Sequence, residues 1–544
     1  MDEVTASPAA SAPLLTGTIP AALPRDSNLP ALLTEQGTYT FSTLSTESRM
    51  IALALARLGV RKGTHVGVLL PNGPEWITTA WAVWQLGATL VPLNTLWTAP
   101  ELGHALDLAD VQLLVATPHF LRHDYASALD SLGIELDRRD AQRARFPCLH
   151  TIAWLSAAPV ASAVSLAAEM RPLTERELEW LGALQDTIAA TDPAAIFFTS
   201  GSEAEPKGVI HTHASILAAA RGIADRLGLE SSDRVWAYLP WFFAGGLVAG
   251  VVAPWLVHAA VISHAVFDAG KAISLMEQFQ ATTFFAWPHQ AHAIIAHPDF
   301  SAARLRLCKG PGAQTDWAEI LYGPNHRAVS SWGMTETGPM ASTTAYSDPL
   351  EKRRTTHGRP LAGVELRVMD PETGRILPPN EEGELLVRGP TVMLRYCKRR
   401  WQDCFDRQGF FHTGDRGWID RDGYLHFTGR IRDVIKTAGV SVSPSEIEAV
   451  LRGYPHVRAA AVVGANDPRR GQCIVAFVVA APNASVGALD IIAWCRERLA
   501  AYKVPQYVFF VNDLPTLGSG KVHKAALAAR ANELLAQAST GSKS

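Results

Sequence analysis

Between residues 38 and 96 the hydrophobic pattern switches repeatedly from an extended to a helical period, and this switching limits the fold more than any other feature of the chain. Thr38-Tyr39-Thr40-Phe41 reads as a strand, and Leu44 to Leu58 has helical spacing. Thr64 to Leu70 reads as a second strand, closed by the turn signal Pro71-Asn72-Gly73. Glu75 to Leu86 is helical again and Ala88 to Leu93 extended. Such alternation predicts a layered α/β domain built on parallel strands.

A chain of 544 residues is long enough for two or more domains. Near residue 430 the texture changes. Ser443-Pro444-Ser445-Glu446 has the form of a helix start, with Ser443 as N-cap and Pro444 in the first turn. Strand-like runs at 459–464, 474–480 and 507–511 follow, so the last 110 or so residues predict a small α+β domain. The expected division is a leader over 1–37, a large domain over 38–430 and a small one over 434–544. Residues 122–180 show no clear period and read as a surface excursion.

Charge and composition exclude several classes. A net charge of −3 gives no electrostatic reason to expect nucleic acid as a partner. The six cysteines are scattered without metal-ligand spacing, as in a reduced cytoplasmic protein. The first thirty residues lack the basic and apolar regions of a secretory signal, and the C-terminal Ser542-Lys543-Ser544 is not a peroxisomal address. The longest apolar run, Ala244 to Val257, contains Gly250 and Pro254 and is too short for a membrane span.

Chemistry concentrates in a few short stretches. Ala194 to Phe198 reads as a buried strand that opens into Thr199-Ser200-Gly201-Ser202 and closes on Pro206-Lys207-Gly208. Loop amides, hydroxyls and one lysine can together hold a phosphate chain, although the spacing is not that of a Walker loop. In Ser330-Ser331-Trp332-Gly333-Met334-Thr335-Glu336, Thr335 and Glu336 offer oxygens to a phosphate or to Mg2+. Asp415, after the Thr413-Gly414 turn, can accept from two vicinal hydroxyls. Lys521 stands between Gly520 and Val522, with Gly518 nearby, as a mobile point charge suited to a developing anion.

Taken in order, these stretches resemble the motifs of the adenylate-forming enzymes: acyl-CoA synthetases, luciferases and peptide-synthetase adenylation domains. The likeness runs from about residue 38 to about residue 530. It implies that Thr199, Ser200, Gly201, Ser202 and Lys207 hold the ATP phosphates. Gly312, Ala313, Ser331, Trp332, Gly333, Met334 and Thr335 would surround the nucleotide, with Trp332 against adenine. Thr335 would meet the α-phosphate, Glu336 would ligate Mg2+, Asp415 would hold the ribose hydroxyls, and Arg430 would lie near ribose and phosphate.

The resemblance further implies a small mobile lid that swings about Arg432. Lys521 would serve the adenylation step. Lys436 would replace it for thioester formation, with Ala438, Gly439 and Val440 lining the CoA path. Trp241, Phe242, Phe243, Trp287 and Gly310 would line an apolar acyl pocket. The implied reaction is acyl-CoA synthesis from a hydrophobic carboxylic acid, ATP and CoA.

This sequence departs from the family pattern at several positions. Glu203-Ala204-Glu205 stand where Thr-Gly-x is usual, Trp332 stands for Tyr, Pro311 for Gly and Phe243 for His. At about 4 Å and an effective dielectric of about 20, each like-charge pair costs about 4 kcal/mol before screening. The two extra acids therefore raise an alternative, an enzyme that takes preformed acyl-AMP from a separate adenylating partner and performs only the thioester step. Loading of a carrier protein and non-catalytic ligand binding are further alternatives.

Overall fold

The computed structural model describes residues 17–134, 145–155, 163–199, 206–433, 435–437, 440–467, 471–481, 484, 486–499, 503–517 and 521–541. Ser200, Gly201, Ser202, Glu203, Glu205, Ala438 and Gly439 lie outside these, as do the side chains of Arg432, Lys436 and Val440. The chain divides into two compact units. One comprises residues 1–199, 205–366 and 387–411, and the other 200–204, 367–386 and 412–544. Residues 367–386 and 412–430, assigned to the large domain on sequence, thus fall with the second unit.

The first unit is built on two large sheets, with a three-stranded and a two-stranded sheet beside them among the described residues. Among the described residues, the eight-stranded sheet runs in the order Arg395–Tyr396, Lys207–Thr212, Pro193–Thr199, Thr89–Pro92, His65–Leu69, Leu113–Ala116, Thr151–Trp154, Val164–Ser165. Its strands from Pro193–Thr199 onward pair in parallel, and the first two join antiparallel. The seven-stranded sheet runs Arg327–Val329, Lys309–Pro311, Thr283–Phe285, Arg234–Ala237, Ala260–Ile262, Pro30–Thr34, Gly37–Thr40 and is parallel except at its final pair. The expected alternation of strands and helices is present, with helices Phe41–Arg57 and Pro74–Gln85 between the early strands.

Helix Pro74–Gln85 shows why the layers hold. Every residue from Trp76 to Gln85 is buried, as expected of a helix that is apolar on all sides. Trp76 meets Trp241 edge-on at 5.7 Å, and Trp81 meets Trp255 at 5.8 Å. The apolar run from Ala244 is likewise internal, folded as the π-helical segment Gly245–Val252 and then Ala253–Leu256.

Two stretches differ from their sequence reading. Part of the expected leader is a sheet strand: Pro30–Thr34 pairs with Ala260–Ile262, and Trp255 Nε1 donates to Ala31 O at 2.9 Å. Within the expected surface excursion, Thr151–Trp154 is a fully buried strand. A strand of four residues, with Thr151 at its start and only Ile152, Ala153 and Trp154 apolar within it, is too short to establish a period.

In the second unit, strands Val440–Val442, Ile435–Thr437, Gly471–Ala480 and Val457–Asp467 form a sheet, and Tyr507–Phe510 adds to Gly471–Ala480 in parallel. Helices Pro444–Arg452, Ala488–Arg498 and Lys524–Gly541 accompany it. Ile447, Leu451 and Ile491 belong to one apolar cluster with Ile474, Ala476 and Val478, whereas Leu527 and Ala531 belong to another with Val475, Phe477 and Val479. The alternation along Gly471–Ala480 therefore feeds two cores. Helix Pro444–Arg452 starts where expected, but the Ser443 hydroxyl makes no cap and donates to Thr428 O at 2.7 Å.

Candidate active site

In the first unit the site is built around the turn at Thr335–Thr337. Strand Ser331–Trp332 pairs with Ser342–Thr343 and brings the chain to Gly333, where a Cβ would stand 2.4 Å from Pro339 O. Only a glycine permits that approach. Trp332, expected against adenine, is 4% exposed. Met334 N donates to Thr337 Oγ1 at 3.0 Å and closes the turn.

Thr335 and Glu336 are held from two neighbouring strands. Strand Lys207–Thr212 places His211 Nε2 2.7 Å from Thr335 O. A carbonyl only accepts, so Nε2 carries the proton and Nδ1 accepts from Ser215 Oγ at 3.0 Å. Burial pulls the His211 pKa down to about 4, which keeps this tautomer neutral. On the adjoining strand, Tyr396 Oη donates to Glu336 Oε1 at 2.8 Å. Burial, and then the Glu336 charge, push the phenol pKa upward, so it stays a donor. Glu336 itself is 9% exposed.

Thr199 and Lys207 stand opposite one another in the antiparallel register of Pro193–Thr199 with Lys207–Thr212. The strand pair therefore fixes both ends of the expected phosphate loop. Lys207 Nζ lies 5.8 Å from the centre of the Tyr396 ring, within cation–π range. His211 and Tyr396 were not singled out for function on sequence. A histidine in the apolar strand Gly208-Val209-Ile210-His211 was a usable signal for one of them.

Gly312 has φ +103°, and a Cβ there would lie 2.3 Å from the Trp317 ring. Ala313 is buried beside it and borders an open cavity of about 330 Å³ with Gln314, Thr315, Asp316, Glu319 and Arg354.

The expected acyl-pocket residues separate. Phe243 is half-buried and meets Phe242 at 4.6 Å and Trp287 at 6.0 Å, giving an aromatic wall. Trp241 is a core residue instead: it is fully buried, and its amide donates to Asn72 Oδ1 at 3.0 Å, tying this segment to the Pro71-Asn72-Gly73 turn. Gly310 serves packing, since a Cβ there would lie 2.4 Å from both Phe284 O and Tyr322 Oη.

In the second unit, Asp415 and Arg430 face each other across the hairpin of Phe411–Ile419 and Leu425–Arg430, with Nε 3.2 Å from Oδ1. Glu384, another residue that the sequence reading missed, braces the turn before Asp415. Its Oε1 accepts from Gly414 N at 3.1 Å and its Oε2 lies 3.1 Å from His412 Nδ1. Gly414 has φ +67°, which favours glycine at this turn. Lys521 is exposed, and its carbonyl accepts from Leu517 N at 2.8 Å. Lys436 lies on strand Ile435–Thr437.

Among the described residues, no group of three or more His, Cys, Asp or Glu side chains is arranged to hold a metal. Nor, among the described residues, is any helix long and apolar enough to cross a membrane. A single anchored carboxylate beside a hydroxyl suits a hard cation that takes its remaining oxygens from phosphate and water, which is the habit of Mg2+.

Family models described as AMP-binding enzyme and AMP-binding enzyme C-terminal domain match residues 21–397 and 446–521. A feruloyl-CoA synthase of Amycolatopsis sp is 33% identical over 495 residues, covering 89% of this chain and 92% of that protein. A medium-chain fatty-acid–CoA ligase of Escherichia coli (strain K12) is 30% identical over 496 residues, covering 89% of this chain and 84% of that protein. The crystal structure of the anthranilate CoA ligase AuaEII in complex with anthranoyl-AMP is 27% identical, with a TM-score of 0.80 over 96% of this chain and 99% of that one.

Proposed function

The chain belongs to the family of AMP-binding enzymes and is an AMP-forming acyl-CoA ligase; from that premise we propose that it activates a hydrophobic carboxylic acid with ATP and transfers the acyl group to CoA. The observation that carries this reading is the Thr335–Glu336 turn, whose backbone is held by His211 and whose carboxylate is held by Tyr396. Preorganised groups of this kind act where charge develops.

A free carboxylate is a poor electrophile with a poor leaving group. In the first step its oxygen forms a bond to the α-phosphorus of ATP, and the bond to pyrophosphate breaks. Lys207 and the Thr199 hydroxyl hold the phosphates, and Lys521 offsets the negative charge of the approaching carboxylate. Glu336, with Thr335 beside it, would hold Mg2+, which supplies charge neutralisation on the phosphate oxygens. Asp415 holds the ribose hydroxyls and Arg430 orients that carboxylate. In the second step the CoA thiolate bonds to the acyl carbon, the C–O bond to AMP breaks, and Lys436 takes over from Lys521.

The relatives act, by their names, on feruloyl, medium-chain acyl and anthraniloyl groups. The aromatic wall of Phe242, Phe243 and Trp287 supports an apolar or aromatic acid for this chain.

Acid-dependent exchange of labelled pyrophosphate into ATP tests the first step, and CoA-dependent AMP release tests the second. Both are expected for the unaltered enzyme, with exchange lost in Lys521→Ala. AMP release from supplied acyl adenylate, without any exchange, would overturn the ATP-dependent step.

A further inference from the structure

Glu336 is gripped twice by one short segment. Met393 N donates to Glu336 O at 2.8 Å, and three residues on Tyr396 Oη donates to Glu336 Oε1 at 2.8 Å. That segment is itself fixed. Leu394 N donates to Ile210 O and Cys397 N to Gly208 O, each at 2.8 Å, on the strand that begins with Lys207. The Tyr396 ring carries two cations at cation–π distance, Lys207 Nζ at 5.8 Å and the Arg399 guanidinium at 5.9 Å.

We propose that Tyr396 is a positioning residue for the metal-dependent part of nucleotide binding: its hydroxyl commits one oxygen of Glu336 and so presents that carboxylate to the cation in one fixed orientation. The inference rests on the assignment of Glu336 to Mg2+. A residue that orients a ligating carboxylate governs metal affinity without touching the metal, and the loss of such a partner typically costs 10–100-fold. The same ring borders Lys207, so one side chain sets the spacing between the phosphate lysine and the acidic ligand.

The experiment is calorimetric binding of ATP with and without Mg2+ to the full chain, for the unaltered protein, Tyr396→Phe, Glu336→Gln and the double variant. Tyr396→Phe keeps the ring beside Lys207 and removes only the hydroxyl. It is expected to bind metal-free ATP as the unaltered protein does, and to lose about tenfold or more of the affinity that Mg2+ adds. The double variant is expected to bind no more weakly than Glu336→Gln alone, because the hydroxyl acts through that carboxylate. The proposal is overturned if Tyr396→Phe weakens ATP binding equally with and without Mg2+, or if the two losses add. An unaltered protein whose ATP affinity ignores Mg2+ would instead remove the assignment of Glu336, and this proposal with it. Should Tyr396→Phe melt well below the unaltered protein, Tyr396→Leu and Tyr396→His, read by the same comparison of metal-free and metal-bound affinity, separate loss of the donor from loss of the ring: only His of these two retains an N–H donor, and only His is expected to keep part of the Mg2+ gain.

Discussion

The Lys309 ammonium stands 2.9 Å from Asp233 Oδ2, with the two side chains only 7% and 5% exposed. Lys309 also donates to Gly228 O at 2.7 Å, and Asp233 accepts from Thr282 Oγ1 at 2.7 Å and Glu230 N at 2.8 Å. The pair lies at the start of the strand that leads into Gly310 and Gly312, so it anchors that turn. Lys309→Met removes the positive partner and leaves a buried carboxylate uncompensated, which costs about 3–5 kcal/mol. Denaturant unfolding is expected to show that loss. A variant changed at both positions, Lys309→Met with Asp233→Asn, is expected to recover part of it, and equal loss in both would contradict the pairing argument.

Removal of the Asp415 carboxylate is expected to weaken nucleotide binding far more than folding. A hydrogen bond to a charged group contributes about 1.5–3 kcal/mol, so Asp415→Ala should raise the KM for ATP by roughly ten- to hundredfold. Glu384→Ala should act in the same direction but more weakly, because Glu384 braces the Gly414 turn and is not assigned to the ribose itself. Steady-state kinetics at varied ATP decides the order, and a larger effect at Glu384 would reassign the ribose contact.

Acid stability follows from two histidines on one strand–helix junction. Burial lowers the pKa of both His211 and His213 from 6.5 to about 4. In the unfolded chain each imidazole binds a proton near pH 6.5, whereas the folded protein resists it until about pH 4. The unfolded state therefore holds more protons across that window, and stability falls as pH falls through it. At 1.36 kcal/mol per unit, the loss is of order 3 kcal/mol for each group. Thermal melting at pH 7, 6, 5 and 4 measures the slope. His213→Asn should flatten it, and an unchanged slope would show that other groups dominate.

Much of the layered core was legible because its elements are long enough to show a period. Phe41–Arg57 and Pro74–Gln85 fall within a few residues of their expected bounds. Thr151–Trp154 was not legible, since so short a run fits a strand, a turn of helix or a loop equally well. At the site, the motif residues announce themselves by local spacing, but their supports do not. Tyr396 lies 60 positions from Glu336 and His211 lies 124 from Thr335. Such partners are joined by sheet register, which has no local signature. Ser443 illustrates the reverse case. Its local pattern is that of a helix cap, whose oxygen would accept from a backbone N–H, yet the hydroxyl makes no cap and donates to Thr428 O, 15 positions away.

Adjacent tryptophan and phenylalanine residues on the segment after Pro240 should separate stability from specificity. Trp241 is fully buried, packs on Trp76 at 5.7 Å and belongs to the layer core. Trp241→Ala opens a cavity there and should destabilise the protein by about 3–5 kcal/mol. Phe243 is half-buried and meets Trp287 edge-on at 6.0 Å. Phe243→Ala is expected to cost much less in melting temperature, and to shift the ratio of kcat/KM between bulky and small acids in favour of the bulky ones. One missing apolar contact alters such discrimination by about 1–3 kcal/mol, or roughly 10–200-fold. Paired melting curves and competition between a medium-chain and an aromatic acid measure the two effects on the same samples. If Trp241→Ala changed acid preference while leaving stability intact, the indole would have to face the acid after all, and the division of this segment into core and pocket would be reversed.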